Sequence, residues 1–219
     1  MCGMLRSVGM FVVLGSLNVW IGACGGGAKS PIPIAPEGVK EIISDLQPWV
    51  NAEQLPRDER KSFEEFCRFL AVRRHCDDAI NTGEMSDKEA VQKTQPLIDH
   101  LAKLGKPTED ILIRLLEARK GLDQQQRRQT LCKEDPEIYA TIVLWTMASA
   151  RAVPVLMELA KDERIENRAV FIRGLGRIGD PKALDFLKEL AAADNEPEIQ
   201  TEAKTAIEEI QKQAPPEKK

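Results

Sequence analysis

The chain predicts an all-α fold, a short α-solenoid of helical repeats with an N-terminal helical cap, and three observations carry that prediction. Between the two chain ends apolar residues recur at helical spacing, with almost no strand-like alternation. One apolar stripe, Ala152, Val155, Leu156 and Leu159, returns 31 residues later as Ala183, Phe186, Leu187 and Leu190. A partner stripe, Phe171, Leu175 and Ile178, returns 32 residues later as Ala203, Ile207 and Ile210, with the extra residue absorbed in the loop at 192–197. Periods of this size are what stacked helix pairs look like in sequence. Two pairs cannot bury themselves, because about three are needed for a stable stack. The helices before residue 150 are therefore expected to pack on as a cap, giving an all-α domain over 39–213 with its clear repeats at 151–213 and a polar tail at 214–219.

Residues 1–27 come first in the chain and read as an address. Arg6 precedes an apolar run over about 8–21, small residues follow at Gly22 and Ala23, and three glycines come after Cys24, which is the layout of a secretory signal. The end of that run, Ile21-Gly22-Ala23-Cys24, resembles the lipobox of bacterial lipoproteins. The resemblance implies a signal peptide at 1–23 and lipid, palmitate included, on Cys24 as the first mature residue. It also implies membrane attachment through that lipid and a place in the bacterial cell envelope. Gly25 is compatible with transport to the outer membrane, facing the periplasm. Two other readings stay open. A transmembrane span needs ~20 consecutive apolar residues, and this run is shorter and interrupted by Gly9, Gly15, Ser16 and Asn18. A plain secretory peptide cut after Ala23 leaves Cys24 an ordinary thiol.

Without residues 1–23 the chain loses one basic residue and no acidic one, so the net charge moves from −4 to −5. That balance gives no footprint for nucleic acid or an anionic membrane surface. Residues 24–38, CGGGAKSPIPIAPEG, read as a tether, flexible at the glycines and extended at the prolines. At ~3.3 Å per residue it reaches about 50 Å.

The helices are then justified one by one. A first short helix is expected at about 37–46, ending before Gln47-Pro48. The next begins near Asp58, with Phe63, Phe66, Cys67 and Leu70 on one face, Phe69, Val72, Cys76 and Ile80 on another, and Gly83 closing it. Ser86-Asp87-Lys88-Glu89 fits a capping box, in which hydroxyl and carboxylate each satisfy an orphan N–H. Ala90, Thr94, Leu97, Ile98 and Leu101 make the buried face behind it, and Pro96 inside that pattern predicts a kink or break. Thr108 is expected to open the following helix, with Glu109 and Asp110 in its first turn and Ile111, Leu112, Leu115 and Leu116 inward. In the turn Gly179-Asp180-Pro181 the glycine ends one helix, the aspartate caps the next and the proline loses no hydrogen bond at its first position. The last helix carries Lys204, Glu208, Glu209 and Lys212, polar enough outside to close the stack.

The stretch Asn167-Arg-Ala-Val-Phe-Ile-Arg-Gly-Leu-Gly-Arg-Ile-Gly-Asp-Pro181 resembles the second helix and turn of a short HEAT repeat, a kind also found in phycobilin lyase subunits. The likeness covers 151–213. A degenerate earlier unit shows in Glu134-Asp-Pro-Glu-Ile138, echoed by Asn195-Glu-Pro-Glu-Ile199, with Ala140, Leu144 and Met147 in the places of Phe171, Leu175 and Ile178. The resemblance implies an extended helical surface for a protein partner in the envelope. Val170, Arg173, Arg177, Thr201, Lys204, Thr205 and Glu208 face away from the buried stripes and are the expected contact surface. As surface positions they are expected to tolerate substitution within ~0.5 kcal/mol. The competing readings are a structural envelope lipoprotein, a small-ligand binder using the groove between cap and repeats, and a lyase-like enzyme. Export and the lack of a companion lyase signature argue against the last.

Candidate chemistry is thin. His75-Cys76-Asp77-Asp78 contains metal-capable types, but adjacent helical residues point about 100° apart and cannot converge on one ion. His100 is expected at the surface. Two histidines, no phosphate loop and no nucleophile motif imply no enzyme, no cofactor and no metal. Paired carboxylates such as Asp77/Asp78 and Glu208/Glu209 read as solvated helix faces. Cys67 and Cys76, nine apart, sit on opposite sides of one helix and cannot bond to each other. Cys132 either pairs with one of them or all three are small buried hydrophobes.

Overall fold

A computed structural model describes residues 36–122, 124–128 and 135–213. The signal, the tether up to Ala35, Cys24, Cys132 and the tail lie outside the described residues. Four helices form the N-terminal part: α1 (Pro36–Val50), α2 (Arg57–Asn81), α3 (Asp87–Lys103) and α4 (Lys106–Arg119). A short α5 (Gln124–Arg128) precedes the repeats, which are α6 (Pro136–Thr146), α7 (Val153–Lys161), α8 (Arg168–Ile178), α9 (Leu184–Ala193) and α10 (Pro197–Gln213). All regular structure among the described residues is helical, as the periodicity predicts.

Two layers emerge from the packing. Helix α8 lies between α6 and α10, forming an inner layer, while α7 backs α8 and α9 backs α10. At the other end α2 packs on α1, α3 and α4, and both α3 and α4 reach α6. Buried apolar side chains run as one cluster from Val39 to Ile210. No described helix is long and apolar enough to cross a membrane.

Both prolines expected to end or bend a helix lie inside one. Helix α1 continues through Pro48 to Val50, and α3 continues through Pro96 to Lys103. A proline leaves the carbonyl four residues earlier without its donor. Here those carbonyls belong to Ser44 and Gln92, both exposed, so water can take the bond. Burial of Val39, Ile42, Leu46 and Val50 along one face of α1 outweighs the lost bond. The capping box at Ser86 and Glu89 is present in full, and Ala90, Thr94, Leu97, Ile98 and Leu101 are all buried. Helix α4 starts at Lys106, two residues before the expected Thr108, because Gly105 takes φ 72° and turns the chain early. On α2, Val72 and Ile80 are half-buried rather than buried, whereas the three phenylalanines, Cys67, Leu70 and Cys76 are in the core. His100, expected at the surface, is half-buried.

The repeat extends to fine detail. Each outer helix is entered through a 3-10 turn, Ala150–Ala152 before α7 and Pro181–Ala183 before α9, 31 residues apart. Asp180 therefore caps that turn, accepting from the Lys182 N–H at 2.9 Å, rather than an α-helix directly. Gly179 ends α8 at φ 77°, and its equivalent one unit earlier, Ala148, holds φ 50°. The earlier unit thus makes the same corner without the glycine that suits it.

Candidate interaction surface

The inner helices approach closely enough that side chains at the crossings are dictated by space. A Cβ at Gly174 would lie 2.7 Å from Thr141 Cγ2 of α6, and one at Gly176 would lie 2.8 Å from Ala206 Cα of α10. Gly174 and Ala206 are 32 residues apart, so each inner helix offers a small residue where the preceding one crosses it. On α8 the face toward α10 carries Ile172 and Gly176, both buried.

The solvent side of this layer holds the predicted contact residues in two groups. Val170 is half-buried, and Arg173 and Arg177 are exposed on α8. Both arginines are engaged within the molecule. Arg173 donates through Nε and Nη2 to the two carboxylate oxygens of Glu202, each at 3.0 Å, and Arg177 Nε lies 3.5 Å from Glu209 Oε1. The two pairs tie successive inner helices together side by side. Exposed pairs contribute only ~0.2–1 kcal/mol each. Even so, reversing either arginine would set two carboxylates against each other, so these positions are not the stability-neutral sites expected from the sequence. Thr201 and Thr205 are exposed on α10, with their hydroxyls bonded back to the carbonyls of Pro197 and Thr201. Lys204 and Glu208 sit apart from this group. They are the repeat equivalents of Ile172 and Gly176 and lie on the far edge of α10, away from α8.

Glu202 and Glu209 were not among the predicted residues, although their spacing was a signal: two carboxylates seven apart, one repeat after two arginines four apart. Sequence reasoning also missed the buried charges. Glu137, on the first turn of α6, accepts from Arg119 Nε at 2.7 Å and from Arg127 Nη1 through one oxygen. Arg127 also donates to the Arg119 carbonyl at 2.8 Å and the Leu122 carbonyl at 3.1 Å, which pins the short α5 against α4. The Arg119 guanidinium lies over the Trp49 ring at 5.3 Å, joining α1 to the cluster. One repeat later Arg168 donates to the Ala160 carbonyl at 2.9 Å, to Glu196 at 2.8 Å and to Asp194.

Beside the first cluster lies a cavity of about 10 Å³ lined by Arg127, Asp135, Glu137 and Asn167 among others. That is room for about one water, and far below the ~300 Å³ at which small-molecule pockets begin. Burial pushes the Asp135 carboxyl above its ordinary range, helped by Glu137 and opposed by Arg119, Arg127 and the Asn167 hydrogen bond. For Asp194 burial also pushes upward, but hydrogen bonds from Arg168 and the Glu196 N–H win and hold it below the ordinary range. The metal-capable run on α2 is splayed: Cys76 is buried, His75 and Asp78 are exposed, and Asp77 is clasped by Arg73. Among the described residues no group of three or more His, Cys, Asp or Glu could hold a metal ion.

Residues 125–208 match the family model of HEAT repeats. The match takes in α6 as well as α7–α10, so the degenerate unit ahead of residue 150 belongs to the repeat series. The fold is thus an all-α helical-repeat stack whose C-terminal part is similar to HEAT repeats, which generally mediate protein–protein interaction. No curated protein and no solved structure matches the chain.

Proposed function

We propose that the protein is a lipid-anchored scaffold of the bacterial cell envelope that binds a protein partner through the solvent face of α8 and α10. The reading as a binding module rests on one observation. The helical-repeat stack presents Arg173, Arg177, Glu202 and Glu209 on a face where they are held in cross-helix pairs and still reach solvent, with the exposed Thr205 beside them. A surface held in one geometry before binding loses little entropy on binding. Its charges are of both signs, which suits a polar protein surface rather than nucleic acid. Anchoring rests on the lipobox-like Ile21-Gly22-Ala23-Cys24, with Cys24 carrying the lipid and the domain held in the periplasm. In this reading the chain performs no catalysis of its own.

Two measurements test the two halves. Cys24→Ala abolishes fatty-acid labelling and moves the protein to the soluble fraction, since several acyl chains hold a protein where one cannot. A labelled or membrane-retained variant overturns the anchor. Arg173→Gln with Arg177→Gln removes a specific partner from a crosslinking pull-down from membranes, with melting shifted by no more than the two exposed pairs supply, ~0.4–2 kcal/mol together. Retention of every partner at normal folding overturns the surface.

A further inference from the structure

The far edge of α10 differs from the edges inside the stack. Val155 and Leu175, within the stack, are fully buried, whereas their equivalents one repeat later, Phe186 and Ile207, are half-buried. Where α8 uses Ile172 and Gly176 to seat α10, α10 itself has exposed Lys204 and Glu208. The edge is thus apolar residues set beside a cation and an anion one helical turn apart. It does not repeat the Ile–Gly surface on which a further helix of the same stack would sit.

Such an edge is complementary to itself. Two α10 helices laid antiparallel across a two-fold axis midway between Lys204 and Glu208, on the side away from α8, set Lys204 of each beside Glu208 of the other, and every contact occurs twice. We propose that this edge is a dimer interface with a second copy of the chain, α10 against α10, with Phe186 and Ile207 covered in the process. Charge complementarity selects this occupant, because the sequence already supplies both halves of each pair, and the Lys212 that reaches Glu208 at 3.5 Å within the helix is itself exposed and easily displaced. Helix α10 has 17 residues, about 25 Å of length. One such helix face with Phe186 lies at or below the ~1,200 Å² of a standard stable interface. The dimer is therefore a weak one that forms at micromolar concentration or above.

Sedimentation of the purified full chain over about 1–500 μM, a span around the micromolar binding range, tests the inference. Wild type shifts from monomer to dimer across that range. Lys204→Glu alone and Glu208→Lys alone each weaken association by about tenfold or more, since each sets like charges together twice. The double variant restores it. Mixing the two single variants restores it as well, because each then supplies what the other lost, a result peculiar to a two-fold antiparallel contact. Circular dichroism stays unchanged in all three. A wild type monomeric throughout, or single variants that associate normally, or a double variant and mixture that both stay monomeric, would overturn the proposal.

Discussion

Positions 137 and 168 occupy the same place on successive inner helices and are both about 2% exposed, yet one is a glutamate and the other an arginine. Glu137 looks backward, to Arg119 on α4 and Arg127 on α5. Arg168 looks forward, to Asp194 and Glu196 ahead of α10. The repeat sets where apolar residues fall, but the sign of one buried charge sets which neighbour each pair accepts. Placed where α8 sits, α6 would set Glu137 against Asp194 and Glu196. The two junctions also differ in completeness. At the first, Arg119 Nη1 and Nη2 and Glu137 Oε2 have no hydrogen-bond partner, whereas all three guanidinium nitrogens of Arg168 are engaged at the second.

The largest break in this comparison is expected from Glu137→Ala. It leaves the buried Arg119 guanidinium without its carboxylate, and removing one partner of a buried pair costs about 3–5 kcal/mol. Urea unfolding reads the loss as a lower midpoint at constant slope. An unchanged midpoint would mean that the cluster is not buried in solution. Arg168→Met keeps the apolar stem and leaves the buried Asp194 without its cation, but Asp194 keeps the Glu196 N–H and the other partner, Glu196, is 56% exposed. A smaller cost, about 2–3 kcal/mol, follows. Should it exceed that of Glu137→Ala, the ordering of the junctions is wrong.

A pH series separates them by sign. Asp194 is held below its ordinary value, so its contribution is present above the unfolded pKa of ~4 and lost as pH falls through the folded one. Asp135 is raised, so its contribution is fully present below ~4 and lost as pH rises through its folded pKa. Asp194→Asn therefore destabilises at pH 7 by about 1–2 kcal/mol and matters less at pH 3. Asp135→Asn is neutral or stabilising at pH 7, and that advantage vanishes at pH 3. Melts at the two pH values check this, and parallel behaviour of the two variants would refute the contrast. The smallest effect comes from Ala148→Gly, which gives the earlier corner the residue Gly179 gives the later one. Ala148 is exposed and left-handed, so a gain of about 0.5–1 kcal/mol is expected despite the freer unfolded chain. A loss of stability would show that the corner is not strained.

Sequence periodicity made the fold legible because stacking imposes it: the stripes at 152–159 and 183–190 had to match for the helices to share one core. The Ser86 capping box was legible for a similar reason, since an orphan N–H is satisfied locally. What escaped depends on distant neighbours. Pro48 and Pro96 are tolerated where the residues four earlier, Ser44 and Gln92, are exposed, which no local pattern reveals. Arg119, Arg127 and Arg168 carry no local sign of burial, since the carboxylates that neutralise them come from other helices. The proposed contact surface was legible only as an unburied stripe, most of whose residues are exposed. Its division into a paired inner face and a separate far edge was not, because only the α8–α10 crossing shows which side of α10 is already occupied.

One small contact bears on how the C-terminal end behaves in time. Gln213, the last residue of α10, lays its side chain over Gly179 and donates to the Gly176 carbonyl at 3.2 Å. Helix ends ordinarily fray, and their amides exchange with solvent almost at the rate of a free peptide. Here the final turn is stapled to the end of α8, which itself sits deep in the stack. Opening that turn requires the glutamine to leave its seat. The last amides of α10 should consequently exchange with deuterium more slowly than those of a bare helix end, and Gln213→Ala should release them without touching the rest of the helix.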